Sequence, residues 1–516
     1  MKKLILLSTI ALFSVSIFAQ TIQLDGVKGR LFKGVKPILD SKDETVSGYY
    51  TYYMVDKGKK GMRTLEFAII DKGVTNVVKT PIEIHKYATL NNTVFNGKNF
   101  LISYDDRKNK QIVFNVIGAD GKLVKKKTEP AAKKRFASSV VYPAANGSGF
   151  YIVTPIKEKK LSGFKLMLVD NNLKELWNFT ETVPKGLTQV ADLVNSADRF
   201  VIWKEHGLGI KKLKPVIVAY DAKTGDKIFS RDGYDGTSTI MYNQLRIDDE
   251  GNVIAGGAYV NGEKYRTINT NGIYLLKMSP KGKEILYTKV DRDEKIQSVL
   301  NATSKGVTVG SKDKIWVEDL VLEGDEMIII SEMFRKNINP KPANYQVPRD
   351  AISGKYIGVL GGNDDNKSKV TFEIMDFILF KFDQSGSLAE IQPITKEKYT
   401  KVTAWYPYNG LLGMQLAKVM EDAGWFDYGF TTVDQNGKRL MVASNNAQAR
   451  KPQVFTYNLD DGYAQTKINM KQEGKVDLEK GKVGYFKAMR NSEGKIAVAY
   501  FQRKLKRVTI NIEDLY

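Results

Sequence analysis

Clusters of lysine and arginine, whose side chains can bind anionic ligands, recur about every 50 residues along the chain. The candidate ligand-binding residues are Arg107, Lys108, Lys157, Lys159, His206, Lys211, Lys212, Lys264, Arg266 and Tyr345. The basic clusters follow apolar runs, so the sequence predicts that they lie in connections between strands. If these connections lie together, their charges sum to a positive field that attracts an anionic ligand. The alternative is that each lysine is simply solvated.

Acidic residues in the same connections leave open an enzymatic function. Asp105, Asp106 and Glu205 could supply a pair of carboxylates for general acid and base hydrolysis of a glycan, although their spacing singles out no pair. With no cysteine and only two histidines, the chain lacks a thiol nucleophile and zinc-ribbon or iron–sulfur ligands, and a histidine-dependent triad is disfavoured. We therefore predict no catalytic residue.

Two acidic segments offer the hard oxygen ligands that calcium prefers. They are Asp248–Asn252 and Asp364–Asn366. Neither has the ligand spacing of a known calcium loop, and the first is more simply explained as a hairpin turn. We expect no cofactor, with calcium left open.

The overall charge indicates an anionic partner. Lysine and arginine number 79 against 58 acidic residues, which gives a formal net charge of +21. Lysine supplies most of the positive charge, whereas phosphate and base recognition favour the planar guanidinium of arginine. We therefore predict an envelope protein or an anionic glycan as the partner, and no nucleic acid.

The elements that must position these residues are short strands. Apolar or alternating runs rich in Val, Ile, Phe, Tyr and Thr recur throughout, separated by tight turns. The turns include Asp71–Gly73, Asp120–Lys122, Asp170–Asn172, Asp221–Gly225, Ser279–Gly282, Asp383–Gly386 and Asp434–Gly437. In such turns, Asp or Ser bonds to nearby backbone amides and Gly accepts the positive φ. The sequence therefore predicts an all-β chain.

A period of about 50 residues with four strands and two tight turns is typical of a β-propeller. We predict seven four-stranded blades in a single domain over 46–516, with a long loop insertion at 336–369 and a lead-in segment at 20–45. The N- and C-terminal strands should close the ring, with a C-terminal strand completing the first blade. Eight blades remain possible because the hairpin Val454–Met470 is left over, and a pair of β-sandwiches is the other alternative.

The first 19 residues have the form of a cleavable signal peptide. Lys2 and Lys3 precede an apolar run from Leu4 to Phe18, and Ala19 offers a small residue before a cut. No later run is long enough for a membrane helix, so we expect no membrane span. With this segment and the Asp-Gly-Lys turns, residues 46–516 resemble exported Gram-negative propeller-like proteins of uncharacterised family. The resemblance implies a periplasmic, outer-surface or secreted protein and assigns no catalytic residue.

Together these features predict a monomeric, exported binding or scaffold module of the cell envelope. In a propeller, the connections between the second and third strands of each blade emerge on one face. The basic clusters are assigned to these connections, so that face is the predicted ligand site. The alternative is a glycan hydrolase or lyase that uses loop carboxylates in the central mouth.

Overall fold

The computed structural model describes residues 20–28, 32, 34–39, 45–56, 61–131, 139–157, 161–184, 186–207, 213–241, 243–263, 270–303, 313–324, 326–338, 369–405, 417, 420–421, 424–445, 452–468, 470 and 483–515. Within these residues the strands form eight antiparallel sheets that follow one another along the chain. We number the sheets as blades 1 to 8 and call the strands of each blade A to D, from the first strand of the blade to the fourth.

The first half of the chain begins with β1 (Thr21–Leu24) and then builds four blades. Blade 1 contains β2 (Val35–Leu39), β3 (Val46–Asp56), β4 (Met62–Asp71) and β5 (Val77–His85). Blade 2 contains β6 (Thr89–Phe95), β7 (Asn99–Asp106), β8 (Gln111–Gly118) and β9 (Leu123–Pro130). Blade 3 contains β10 (Val140–Pro143), β11 (Phe150–Lys157), β12 (Ser162–Val169) and β13 (Glu175–Val183). Blade 4 contains β14 (Leu187–Asn195), β15 (Arg199–Gly207), β16 (Leu213–Asp221) and β17 (Lys227–Asp232).

The second half builds the other four blades, of which two carry an additional strand. Blade 5 has a divided A strand, β18 (Ser238–Ile240) and β19 (Gln244–Ile247), followed by β20 (Val253–Asn261), β21 (Gly272–Met278) and β22 (Glu284–Asp291). Blade 6 contains β23 (Asp313–Glu323), β24 (Glu326–Ile338), β25 (Lys369–Phe382) and β26 (Leu388–Ile394), with β27 (Thr400–Trp405) also paired to β25. Blade 7 contains β28 (Tyr428–Val433), β29 (Arg439–Ser444), β30 (Val454–Asn458) and β31 (Gln465–Lys467). Blade 8 contains β32 (Val483–Arg490), β33 (Lys495–Gln502) and β34 (Arg507–Asp514), and β1 is its fourth strand.

Burial along the strands explains why these residues form blades. The B strand β20 is buried at every position except its last, and the C strand β8 at every position except its first. Such strands cover both faces with neighbouring blades, so both faces must be apolar. The D strand β13 instead alternates half-buried and exposed residues, as expected for an outer edge that faces water.

The blade count is eight, so the prediction of seven is corrected and its alternative of eight is confirmed. The seven recurring turns predict one blade each, but Asp434–Gly437 joins β28 to β29 and is the A–B turn of blade 7, whereas the other six turns join C and D strands. The hairpin Val454–Met470 supplies the C and D strands of that blade. Both turn classes join adjacent antiparallel strands through the same Asp and Gly chemistry, so turn sequences alone do not distinguish them.

Ring closure involves the N-terminal strand. β1 pairs with β34 in a register that runs from Thr21 opposite Asn511 to Leu24 opposite Val508. The expected participation of both chain ends is confirmed, but the N-terminal strand completes the last blade, whereas a C-terminal strand was expected to complete the first. Blade 1 has four strands of its own because β2 lies within the segment 20–45, which the sequence analysis treated as a lead-in.

The core lies between blades. One apolar cluster joins Leu24 and Val508 of blade 8 to Tyr49 and Ala68 of blade 1. Equivalent clusters join each of the other pairs of consecutive blades, for example Phe200 of blade 4 with Tyr151 of blade 3. Each blade therefore depends on two neighbours for the burial of its apolar faces.

The C–D turns overlap the preceding blade. A Cβ atom on Gly282 would lie 2.4 Å from Cγ of Phe229, in the D strand of blade 4. Gly225 lies in the same way against Trp177, whose indole N–H donates to the Ala222 carbonyl oxygen at 3.0 Å. Glycine is needed at position 282 both for its φ of +83° and for this close approach.

Antiparallel order assigns every connection to one of two faces. The A–B and C–D turns lie on one face, which we call the hairpin face. The B–C and D–A connections lie on the other, which we call the long-loop face. The D–A connection of blades 5 and 6 contains a helical segment that the sequence analysis did not predict, a π turn (Arg292–Ile296) followed by α1 (Gln297–Thr303). No helix in the described part of the chain has the length and apolar character needed to cross a bilayer.

Candidate functional site

The predicted basic residues of blade 2 lie on the long-loop face. Arg107 and Lys108 are exposed in the short B–C connection between β7 and β8. Asp106 shapes this connection because its Oδ1 accepts the backbone N–H groups of Lys108 at 3.2 Å and Asn109 at 3.3 Å. The turn therefore holds Arg107 and Lys108 at the surface.

The basic residues around the B–C connection of blade 4 are only partly described. His206 is exposed near the end of β15. Lys204 pairs with Glu181 of blade 3 at 2.8 Å, and Lys214 pairs with Glu263 of blade 5 at 3.4 Å. Carboxylates of neighbouring blades thus offset part of the positive charge at these strand ends.

The other predicted residues contribute less to the described surface. Lys157 is the last residue of β11, and only its backbone is described. The remaining positions lie outside the described residues: Lys159, Lys211, Lys212, Lys264, Arg266 and Tyr345, with most of the insertion 336–369. The described strand ends that flank these positions lie on the long-loop face.

The acidic residues considered for hydrolysis are bonded within their own blades. Asp105 accepts the side-chain N–H of Asn91 in blade 2 at 3.0 Å. Glu205 accepts the side-chain N–H of Gln189 in blade 4 at 2.7 Å. These contacts position each carboxylate locally and do not join carboxylates of different blades.

The first calcium candidate is a hairpin turn. Oδ1 of Asp248 accepts the backbone N–H of Glu250 at 3.1 Å and that of Asn252 at 2.8 Å, and Lys277 pairs with Oδ2 at 3.0 Å. Asp364–Asn366 lies outside the described residues. Across the residues that the structure describes, no three acidic or histidine side chains are grouped in a way that could hold a metal ion.

Blade 6 is longer than the other blades and rises above the long-loop face. β24 and β25 remain paired as far as Ile338 and Val370, beyond the reach of β26. β27 replaces β26 beside this upper half of β25, with Val402 opposite Phe372. We call this upper part the blade-6 extension. Its own apolar cluster consists of Trp316, Phe334, Phe372, Ile374, Val402, Ala417, Met420 and Phe426, with Trp425 packed against it.

A cluster of buried charges lies at the base of the blade-6 extension. Nζ of Lys396, directly after β26, pairs with Glu332 of β24 and with Oδ2 of Asp427 at 2.9 Å. The backbone N–H of Asp427 also donates to Glu332 at 3.0 Å. Lys396 and Asp427 stand at the two ends of the connection between blades 6 and 7, so Glu332 fastens both ends to the ring.

A second carboxylate completes this anchor. Asp376 of β25 accepts the backbone N–H of Lys396 at 2.9 Å and the hydroxyl of Tyr399 at 2.8 Å. The Lys396 ammonium also lies 4.1 Å from the centre of the Phe377 ring. Lys396 is thereby held between charges and an aromatic face, and its exposed fraction is only 8%.

Burial changes the proton affinity of this cluster. It raises the pKa of Glu332 to about 7, against the opposing effect of Lys396 and with added repulsion from Asp427. It raises the pKa of Glu318 well above the usual value, and the Glu332 charge acts in the same direction. Oε1 of Glu318 and Oδ1 of Asp427 are buried, and neither has a hydrogen-bond partner among the described residues. The cluster is therefore an internal, electrostatically costly anchor that no solute can reach from the described surface.

Sequence reasoning missed these buried charges, although a local signal exists. Glu332 interrupts an apolar run between Ile330 and Met333, and Asp376 interrupts another between Met375 and Phe377. A charge inside an otherwise apolar strand indicates a buried partner. The partners Lys396 and Asp427 lie in a connection whose path the sequence does not reveal.

An open cleft of about 670 Å³ lies on the hairpin face at the C–D turn of blade 6. Its lining residues are Glu326, Lys381, Phe382, Asp383, Gln384, Ser385, Ala389 and Glu390. Lys381 pairs with Glu390 at 3.3 Å, and the hydroxyl of Tyr463 in blade 7 contacts the same carboxylate at 3.3 Å. These contacts connect blades 6 and 7 at the cleft.

Solved structures similar to this chain share little sequence with it. The quinohemoprotein alcohol dehydrogenase from Comamonas testosteroni is 8% identical, with a TM-score of 0.44 over 96% of this chain and 76% of that chain. The corresponding enzyme from Pseudomonas putida is 9% identical, with a TM-score of 0.42 over the same shares. The β-propeller domain of the Trilobed protease from Pyrococcus furiosus is 10% identical, with a TM-score of 0.36 over 84% of this chain and 96% of that chain. At these values the similarities carry no argument about function.

No curated protein matches the chain. A family model, in contrast, matches it over its whole length, residues 1–516. The chain therefore belongs to the family of unknown function DUF6770.

Proposed function

We propose that this protein is an exported, non-enzymatic binding module that recognises an anionic component of the cell envelope through its long-loop face. The observation that carries the proposal is the blade-6 extension, which rises on the face where the basic B–C connections emerge. Extended connections on a rigid β scaffold are where binding residues are most often found. The loops and the extension together would form the binding surface.

The buried anchor supports a binding role for the extension. Glu332 holds both Lys396 and Asp427, so the connection between blades 6 and 7 is fixed at both ends. A platform fixed in this way loses little conformational entropy when a partner binds. The loop carboxylates Asp105 and Glu205 each accept a hydrogen bond within their own blade, so the proposal includes no acid–base pair.

Export is part of the proposal and rests on the signal-like residues 1–19. A cut after Ala19 leaves Gln20 as the first residue, whose carbonyl oxygen accepts the Ile512 N–H at 3.0 Å beside β1. Cell fractionation and N-terminal sequencing test this directly. An intact N terminus on protein recovered from the cytoplasm would contradict export.

Charge reversal tests the binding face. Arg107→Glu and Lys108→Glu, combined with Lys211→Glu and Lys212→Glu, should abolish capture of material from a lipid-depleted envelope extract. The same capture by the unmodified protein should weaken with added salt, because screening shortens the reach of exposed charges to about 8–10 Å.

A matched control carries the same type of change on the hairpin face. Lys98→Glu and Lys438→Glu lie in A–B turns and should leave capture intact. Unchanged capture by the long-loop variant, with no response to salt, would contradict the proposed function.

A further inference from the structure

The outer strands of blades 2 to 6 each begin with a β-bulge at the same place. In blade 3, Leu168 pairs with Trp177 and Val169 with Glu175, so Leu176 between them has no partner. The same shift occurs in the other four blades. The bulged residues are Val124, Leu176, Ile228, Ile285 and Ala389, and we call them the bulge row. Because the register is equivalent in each blade, the row lies at one level of the rim, beside the hairpin face.

Four members of the bulge row are large aliphatic residues facing solvent. Their exposed fractions are 46% for Val124, 52% for Leu176, 41% for Ile228 and 53% for Ile285. The described part of the chain has ten large exposed hydrophobic residues, so the row holds four of them. Apolar residues scattered singly over a surface would not be expected to occupy the same strand position in successive blades.

Packing within the ring does not explain these side chains. The residue after the bulge makes the contact with the next blade, as Phe229 does with the turn at Gly282 and Leu286 with the turn at Gly386. The bulged residues Ile228 and Ile285 precede these two residues and remain exposed.

Protection of the sheet edge explains the bulges but not their residue type. A bulge disrupts the hydrogen-bonding edge and so prevents pairing with another chain. A lysine at the bulge would serve this purpose better than an aliphatic residue, because charge also opposes edge pairing. The aliphatic type therefore indicates contact with an apolar phase.

Lysines surround the bulge row. The C–D turns and first strand residues of blades 2 to 5 carry eight exposed lysines: Lys122, Lys125, Lys126, Lys174, Lys223, Lys227, Lys281 and Lys283. The same segments hold six acidic residues, of which Asp170 and Asp221 are half-buried and accept backbone amides of their own turns. Eight lysines against six carboxylates leave these segments with a net charge of +2, which complements an anionic surface.

We propose that the rim of the hairpin face binds an anionic lipid surface, with the bulge row inserted at the headgroup level. A stable protein interface clusters its anchor residues in a closely packed central core, whereas here each blade offers one separate aliphatic side chain between lysines. A fluid interface accepts such separate side chains and adds the attraction of its negative charge. In this orientation the long-loop face points away from the lipid.

Cosedimentation of residues 20–516 with lipid vesicles tests the proposal. The protein should bind vesicles of phosphatidylcholine mixed with phosphatidylglycerol and should bind pure phosphatidylcholine vesicles far less. The triple variant Leu176→Ser, Ile228→Ser, Ile285→Ser should bind the anionic vesicles at least tenfold more weakly. Each neutralisation among Lys174→Gln, Lys227→Gln and Lys283→Gln should weaken binding about fivefold at low salt, because each removes one positive charge near the lipid surface.

The control carries the same chemical change on exposed aliphatic residues of the long-loop face. Val140→Ser, Leu161→Ser and Leu505→Ser replace side chains that are 40%, 37% and 58% exposed, and they should leave vesicle binding unchanged. Equal losses in the two triple variants, equal binding to both vesicle types, or no binding to either would overturn the proposal. Capture through the long-loop face uses other residues and another probe, so either idea can fail alone.

Discussion

Substitution of Gly282 by alanine tests how closely each C–D turn overlaps the blade before it. The new Cβ would lie 2.4 Å from Cγ and 2.7 Å from Cβ of Phe229, whereas carbon atoms in contact are normally about 3.5–4.0 Å apart. Rotation of the Phe229 ring does not relieve the contact with its Cβ, because that atom is fixed to the backbone. The turn must therefore move away from blade 4.

Gly437 provides a control with the same backbone conformation and no neighbour. Its φ is +76° against +83° for Gly282, and a Cβ there would meet no atom of the described residues within 4 Å. Gly437→Ala should cost about 1–2 kcal/mol of unfolding free energy, from the left-handed conformation alone. Gly282→Ala should cost about 1–3 kcal/mol more, from the forced separation of the two blades.

Urea-induced unfolding followed by tryptophan fluorescence and circular dichroism measures both variants under the same conditions. The midpoint should fall further for Gly282→Ala than for Gly437→Ala, since only the first variant disturbs an interface between blades. Equal shifts would refute the overlap of C–D turns as a constraint that joins neighbouring blades.

Three further predictions concern the buried anchor and ring closure. Lys396→Met should lower the unfolding free energy by about 3–5 kcal/mol, because it leaves buried carboxylates without their cation. The control Lys401→Met replaces a lysine whose side chain is 67% exposed, and it should cost at most about 1 kcal/mol in the same urea titration. Burial raises the pKa of Glu332 to about 7, so between about pH 5 and 7 this carboxyl group is mostly protonated in the folded protein and mostly ionised in the unfolded chain. The urea midpoint should therefore fall as pH rises through this range. Glu332→Gln should flatten this fall, and an equal slope in the variant would contradict the assignment. Leu24→Ala, at a fully buried residue of the closing strand β1, should lower the melting temperature through a loss of about 2–5 kcal/mol, and an unchanged melting temperature would show that β1 is dispensable.

The sequence determined the class of fold because its signals are local. Strands such as Val253–Asn261 are apolar on both faces, and the turn Ser279–Gly282 carries its own capping residue and positive-φ glycine. These features depend only on neighbouring residues, so the all-β class and the four-stranded repeat could be predicted.

The tertiary structure decided the number of blades, the closure of the ring and the buried charge cluster, because each depends on contacts between residues far apart in the sequence. The chemistry of Asp434–Gly437 fits an A–B or a C–D turn, and only pairing with β29 assigns it and so sets the number of blades. β1 reads as an isolated short strand until its register with β34 shows that it closes the ring. Glu332 and Asp427 lie 95 residues apart and meet through Lys396, because the extension returns the chain to the base of blade 6. Such contacts depend on the path of the chain, which local propensity does not encode.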